Sequence, residues 1–165
     1  MHTTSTENSF LKIWYFFVLV IIALGFGGCA VKLVADYDSA TFNEIITIDK
    51  KVDRFYGDLL ELPAGNRQYA KFSDKYVDIE TDLRSLYIRN MARPLNEESS
   101  QISEIILNLW IKYKDTHKKK DGYPDGMAKL DRKRFTRLFI SAANAEAAKK
   151  LSPDDRDTNK DSLKE

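Results

Sequence analysis

A single cysteine, Cys29, and two histidines, His2 and His117, are all that the 165-residue sequence offers to thiol or imidazole chemistry. No disulfide can close within the chain, and a zinc site of ordinary spacing has too few ligands, so neither a metal nor a cofactor is expected. Glycine is scarce at seven, three of them packed into Gly25, Gly27 and Gly28, and no Asn-Gly pair marks a hairpin turn. Neither sign of charge is in excess. Lysine plus arginine number 26 against 25 for aspartate plus glutamate, so no global field draws the chain toward nucleic acid. A nucleophile elbow and a glycine-rich phosphate loop are both missing, which disfavours hydrolase and nucleotide-binding roles.

The most prominent feature present is the run Ile13 to Val31, "IWYFFVLVIIALGFGGCAV", nineteen residues without a charge behind Lys12 and a polar leader. As a helix it would rise about 28 Å at 1.5 Å per residue, close to the roughly 30 Å hydrocarbon layer of a bilayer. Length alone therefore does not separate a cleaved signal from a permanent span. The glycines shift the balance, since each costs about 1 kcal/mol relative to alanine in a helix interior and so loosens the backbone just before Cys29. "FGGC" resembles the lipobox of bacterial lipoproteins, which are cut immediately before a cysteine that then receives lipid. Gly28 and Ala30 fit that pattern; Phe26 stands where leucine is usual. The resemblance implies Cys29 as the lipid attachment site, and more than one acyl chain gives firm anchoring. The alternative is that Cys29 is a small apolar residue within an uncleaved membrane helix. Ala30 lacks the aspartate that retains enteric-type lipoproteins at the inner membrane, so the expected location is the periplasmic face of the outer membrane.

The remaining sequence reads as helix. Ile45, Ile48, Val52, Phe55, Leu59 and Leu62 recur in steps of three and four until Pro63, and Tyr69, Phe72, Tyr76, Ile79, Leu83 and Leu86 repeat the spacing before Pro94. Asn96 with Glu97 and Glu98 reads as the start of a third helix. Its stripe is Ile102, Ile106, Leu109 and Tyr113, widened by Ile105 and Trp110, and it should fade in the turn-rich "THKKKDGYPDG", the longest connection. A fourth helix from about Met127 to Leu151 offers Leu130, Phe135, Leu138, Phe139, Ala142 and Ala145. The expected fold class is all-α: an up-down-up-down four-helix bundle behind an N-terminal signal or membrane-anchor helix. Four segments are expected: a lipoprotein-type signal peptide or uncleaved anchor over 1–28, a tether over 29–38, the bundle over 39–151 and a disordered tail over 152–165.

"VADYD", "DLRSL", "ARPLN" and "AEAAKK", read in that order, make the chain similar over most of residues 29–150 to a group of small lipoproteins of Gram-negative bacteria. The positions that carry the similarity are Tyr37, Asp38, Asp82, Leu83, Leu86, Arg89, Pro94 and Asn96. The resemblance implies lipidation and a helical fold; it transfers no active site. Around "DGYPDG" the chain departs from the group.

Candidate chemistry is sparse. His117, beside a lysine run, reads as a solvated surface histidine rather than a catalytic base. Asp78 and Asp82, four apart with Glu80 near them, could suit an acid and base pair, although surface helices commonly look like this. Asp82 and Arg89 read as polar anchors. Asp121 and Asp125 flank Tyr123 and Pro124, but not at EF-hand spacing. The sharpest feature is basic: Lys118, Lys119, Lys120, Lys129, Arg132, Lys133, Arg134 and Arg137, several of them crowding a helix start where the macrodipole disfavours cations. These are candidate anion-binding residues, with Arg134 able to snorkel from the stripe. Three functions are thus expected in descending order: a lipid-anchored, non-catalytic interaction or scaffolding module of the cell envelope; a binding module for anionic envelope lipids or polymers; and an envelope enzyme. Partners are the membrane, through Cys29 or residues 13–31, and protein, but not nucleic acid.

Overall fold

The computed structural model describes Trp14, Tyr15 and residues 33–151. The expectations placed on the signal segment, on Cys29 and on the tail lie outside these residues. Inter-residue contacts divide the chain between Lys32 and Leu33, and the bundle lies in the second unit.

Among the described residues there are four long helices and no strand: α1 (Ser39–Glu61), α2 (Ser73–Met91), α3 (Glu97–Lys120) and α4 (Asp125–Ala148). Asp38 caps α1, its carboxylate accepting from the Ala40 amide at 3.0 Å and the Thr41 hydroxyl at 2.6 Å. Those bonds, the one from Thr41 first, hold the Asp38 carboxyl below its ordinary value against the opposing effect of burial. Leu62, extended as a residue before proline must be, ends α1. The longest connection then follows, through short 3-10 turns at Ala64–Asn66 and Tyr69–Lys71. This corrects the expectation that "THKKKDGYPDG" would be the longest. Instead α3 runs on through the lysines to Lys120, and Asp121 at φ 44° closes it with its amide donating to the His117 carbonyl.

Each helix packs against two neighbours, α1 against α2 and α4, and α3 against α2 and α4. Paired residues run in opposite order along each contact: Glu44 with Arg89 and Asp58 with Lys75 between α1 and α2, Asn90 with Ser99 and Glu80 with Lys114 between α2 and α3. Neighbours are therefore antiparallel. The centre is aromatic. Phe55 lies 4.6 Å from the Tyr76 ring and 5.1 Å from Trp110, whose indole N–H donates to the Tyr76 carbonyl at 3.1 Å. Phe135 meets Trp110 edge-on from α4. Side chains of this size bury enough apolar surface to hold four helices without a disulfide.

Three stripes shift from expectation. On α2 the helix begins at Ser73, so Tyr69 and Phe72 approach the core from the preceding turns. On α3 the buried face is Ser99, Ser103, Ile106, Leu107, Trp110, Tyr113 and His117, while Ile105 points to solvent. On α4 Asp131 and Glu146 are buried in the stripe with Phe135 and Phe139, and Leu130 is exposed.

Candidate functional site

The expected tether is, in its second half, part of the fold. Ala35 is buried, and its amide donates to the Leu95 carbonyl at 3.0 Å in the turn between α2 and α3. Arg93 donates to the carbonyl of Asp36, and the Asp38 amide donates to Glu146 Oε1 at 2.8 Å at the end of α4. Residues 35–38 thus form a strap tied to two parts of the bundle that are far apart in sequence and meet at its one end.

Glu146 is the knot. It is fully buried, and Arg93 grips both its oxygens, each at 3.1 Å. Lys149, also buried, binds Glu146 Oε2 and extends to Asn96 Oδ1 and to Ser99 Oγ at 2.9 Å. Asn96 in turn donates to the Asn90 carbonyl at 2.9 Å, so it bridges α2 and α3 instead of capping α3 with its side chain. Burial pushes the Glu146 carboxyl up, but Arg93, Lys149 and the Asp38 amide together hold it below its ordinary value of 4.5. The anion is thus stable in a dry setting because each charge has a partner and further hydrogen bonds.

At the other end of the bundle His117 is buried, correcting its reading as a solvated histidine. Its Nε2 is 2.8 Å from the Arg67 carbonyl and its Nδ1 is 3.1 Å from the Tyr76 hydroxyl. A carbonyl only accepts, so Nε2 carries the proton and Nδ1 accepts from the tyrosine; the neutral ring is fully satisfied. Burial holds its pKa below 6.5. Arg67, itself buried, donates to the carbonyls of Leu62 and Tyr123 at 2.8 and 2.9 Å and pairs with Asp125 at 2.6 Å. Asp121 accepts from the Tyr69 amide at 2.8 Å. The two loop aspartates therefore fasten the α1–α2 connection. Tyr123 completes this end by donating its hydroxyl to the buried Asp131 at 2.7 Å, and Arg134 joins Asp131 to Tyr113.

The paired carboxylates on α2 are neutralised across helices. Lys51 reaches Asp78 at 3.0 Å and Asp82 at 2.6 Å, and Glu80 is held by Lys114 and Arg84. Arg89 pairs with Glu44 rather than with Asp82. The groove between α1 and α2, walled by Lys51, Arg54, Asp58, Lys75 and Asp78, has its carboxylates engaged in the same way. Among the described residues no three metal-ligating side chains converge, and no helix is long and apolar enough to cross a membrane.

The candidate anion-binding residues divide. Arg132 is committed to Asp53 through two bonds of 2.6 and 2.7 Å, and Arg134 to Tyr113 and Asp131. Arg137 turns back toward the Lys133 carbonyl. Lys118, Lys119, Lys120, Lys129 and Lys133 are exposed, with Lys118 leaning over Tyr69. The three consecutive lysines stand at the end of α3 remote from the strap.

The residues that reasoning from sequence missed are Arg67, Arg93, Asp131, Glu146 and Lys149. Asp131 and Glu146 left a signal: both fall in the stripe register of Ala128, Phe135, Phe139 and Ala142, where a charged residue needs an explanation. No family model, no curated protein and no solved structure matches this chain.

Proposed function

We propose that the chain is a lipid-anchored cell-envelope protein, an up-down-up-down bundle on the periplasmic face of the outer membrane that acts as a non-catalytic interaction or scaffolding module. The observation that carries this reading is the strap. The residues that follow Cys29 and the apolar run are built into the domain through Ala35, Asp38 and a buried ionic knot, an arrangement suited to holding a domain firmly at its anchor. The candidate acid and base carboxylates, by contrast, are spent on ion pairs between helices. The lipobox-like "FGGC" and the similarity to small lipoproteins support the same reading.

The test is the intact mass of the protein taken from its host membranes, together with crosslinking in cells. Loss of residues 1–28 with a gain in mass equal to acyl chains, and discrete crosslinked partners, is the expected result. A mass equal to the unprocessed chain overturns the anchor, and turnover of a cell-wall or lipid substrate by the purified protein overturns the non-catalytic role.

A second reading keeps the basic residues as a site for an anionic partner, favoured by the exposure of Lys118, Lys119, Lys120, Lys129 and Lys133. The three consecutive lysines lie at the end of α3 opposite the strap, about 36 Å away along a helix of 24 residues. The partner in this reading is an anionic envelope lipid or polymer.

A further inference from the structure

We propose that the strap end of the bundle docks on the bilayer surface through an exposed apolar patch made of Leu33, Val34, Met91 and Leu95. The inference rests on the anchored reading above.

The patch is defined by chain connection and hydrogen bonding. Leu33 and Val34 are 79% and 45% exposed and lead directly into Ala35, which is bonded to the Leu95 carbonyl. Leu95 is 54% exposed, and Met91, in the last turn of α2, is 59% exposed. Leu95 also has φ 58°, a left-handed backbone that disfavours leucine and suits glycine or asparagine. A large apolar side chain at such a position, more than half exposed, gains only part of its possible burial inside this domain. One isolated exposed leucine would need no explanation, but four apolar side chains gathered at the same end do.

Reach then makes the bilayer the occupant nearest to hand. From Val31, the last residue of the uncharged run, to Ala35 is four residue steps, about 14 Å at full extension; from Cys29 it is six, about 21 Å. The interfacial layer on one side of a bilayer is about 5–8 Å deep. A leader this short keeps Ala35 within about 14–21 Å of the run, so the headgroup layer is within reach of this end and is the apolar surface nearest to it. Among the residues named at this end or next to it in sequence, the cations Lys32, Arg93, Lys149 and Lys150 nearly balance the carboxylates Asp36, Asp38, Glu97, Glu98 and Glu146, so no strong field of either sign acts on the headgroups. The contact is therefore apolar, and it is insensitive to salt and to the fraction of anionic lipid.

The test uses the full chain, purified from host membranes and placed in vesicles of phosphatidylethanolamine and phosphatidylglycerol that carry nitroxide on the acyl chains. Leu95→Cys and, at the far end, Lys119→Cys are labelled with an environment-sensitive fluorophore. Met91→Cys serves as a second patch position. Lipidation blocks Cys29, the only native thiol, so the parent chain should take up no label. The expected result is at least twofold stronger quenching at positions 95 and 91 than at 119, unchanged by salt. Equal quenching at the two ends overturns the docking and leaves the anchor standing. A parent chain that takes up label and washes off the vesicles overturns the anchored reading and the docking together.

Discussion

His117 on α3 donates its Nε2 proton to the carbonyl of Arg67, fifty residues earlier in the chain and 2.8 Å away. That bond ties the α1–α2 connection to the end of α3, and the ring stays neutral because Nδ1 accepts from the Tyr76 hydroxyl. Because burial depresses the His117 pKa, the folded state binds fewer protons than the unfolded chain just below pH 6.5. Stability should therefore fall as the pH drops through that value. Glu146 and Asp38, both held below their ordinary values, keep their contribution above about pH 4.5 and lose it only as the pH falls through their folded values. Urea titrations from pH 7.5 to 5 should show the decline, and His117→Gln should be less stable at pH 7 but flatter across this window. A variant that declines as steeply as the parent would contradict the assignment.

The ionic knot gives a second prediction. Glu146→Gln leaves Lys149 and Arg93 with a neutral partner in a buried setting and should cost roughly 3 kcal/mol. Adding Lys149→Met removes one stranded charge, so the double variant should recover part of that loss. Denaturant midpoints of the two single variants and the double variant measure the coupling.

Leu95 allows a test of backbone strain. In a helix interior alanine is favoured over glycine by about 1 kcal/mol; at φ 58° the order should reverse by a similar amount. Leu95→Gly is therefore expected to melt a few degrees above Leu95→Ala, and the opposite order would show that the turn does not hold this conformation in solution.

Phe55 touches Tyr56, Phe72, Tyr76 and Trp110 at ring separations of 5.2, 5.6, 4.6 and 5.1 Å. Phe55→Ala should cost about 3–5 kcal/mol and shift Trp110 emission to the red, because the cavity adjoins the indole. Replacing Lys118, Lys119 and Lys120 with glutamine, by contrast, should cost only about 1 kcal/mol, since all three are exposed and lose mainly the favourable field at the end of α3. Thermal melts of the two variants side by side separate core from surface.

The helical course of the chain was legible because Ile45, Ile48, Val52, Phe55 and Leu59 announce a buried face by spacing alone, and Pro63 and Pro94 stop the backbone for steric reasons. The polar interior was not. Ser103 can be buried because its hydroxyl returns to the carbonyls of Ser99 and Ser100, and His117 because two distant groups complete its ring; hydropathy cannot register a partner supplied by another segment. The same blindness placed Ile105 and Leu130 in stripes from which their helices turn them away. Of the candidate site, the basic residues were visible as a cluster, but the commitment of Arg132 to Asp53 and of Arg134 to Tyr113 depends on helix pairing. The strap was hidden because "AVKLVADYDS" has the composition of a linker, and only the third dimension brings Ala35 to Leu95.

The strap also decides how the domain responds to a pull. A chain that entered α1 directly would let tension peel that helix away one turn at a time. Here a pull from the N-terminal side meets the bonds at Ala35, Asp36 and Asp38, which lead into the α2–α3 turn and through Glu146 into the end of α4, before it reaches the first helix.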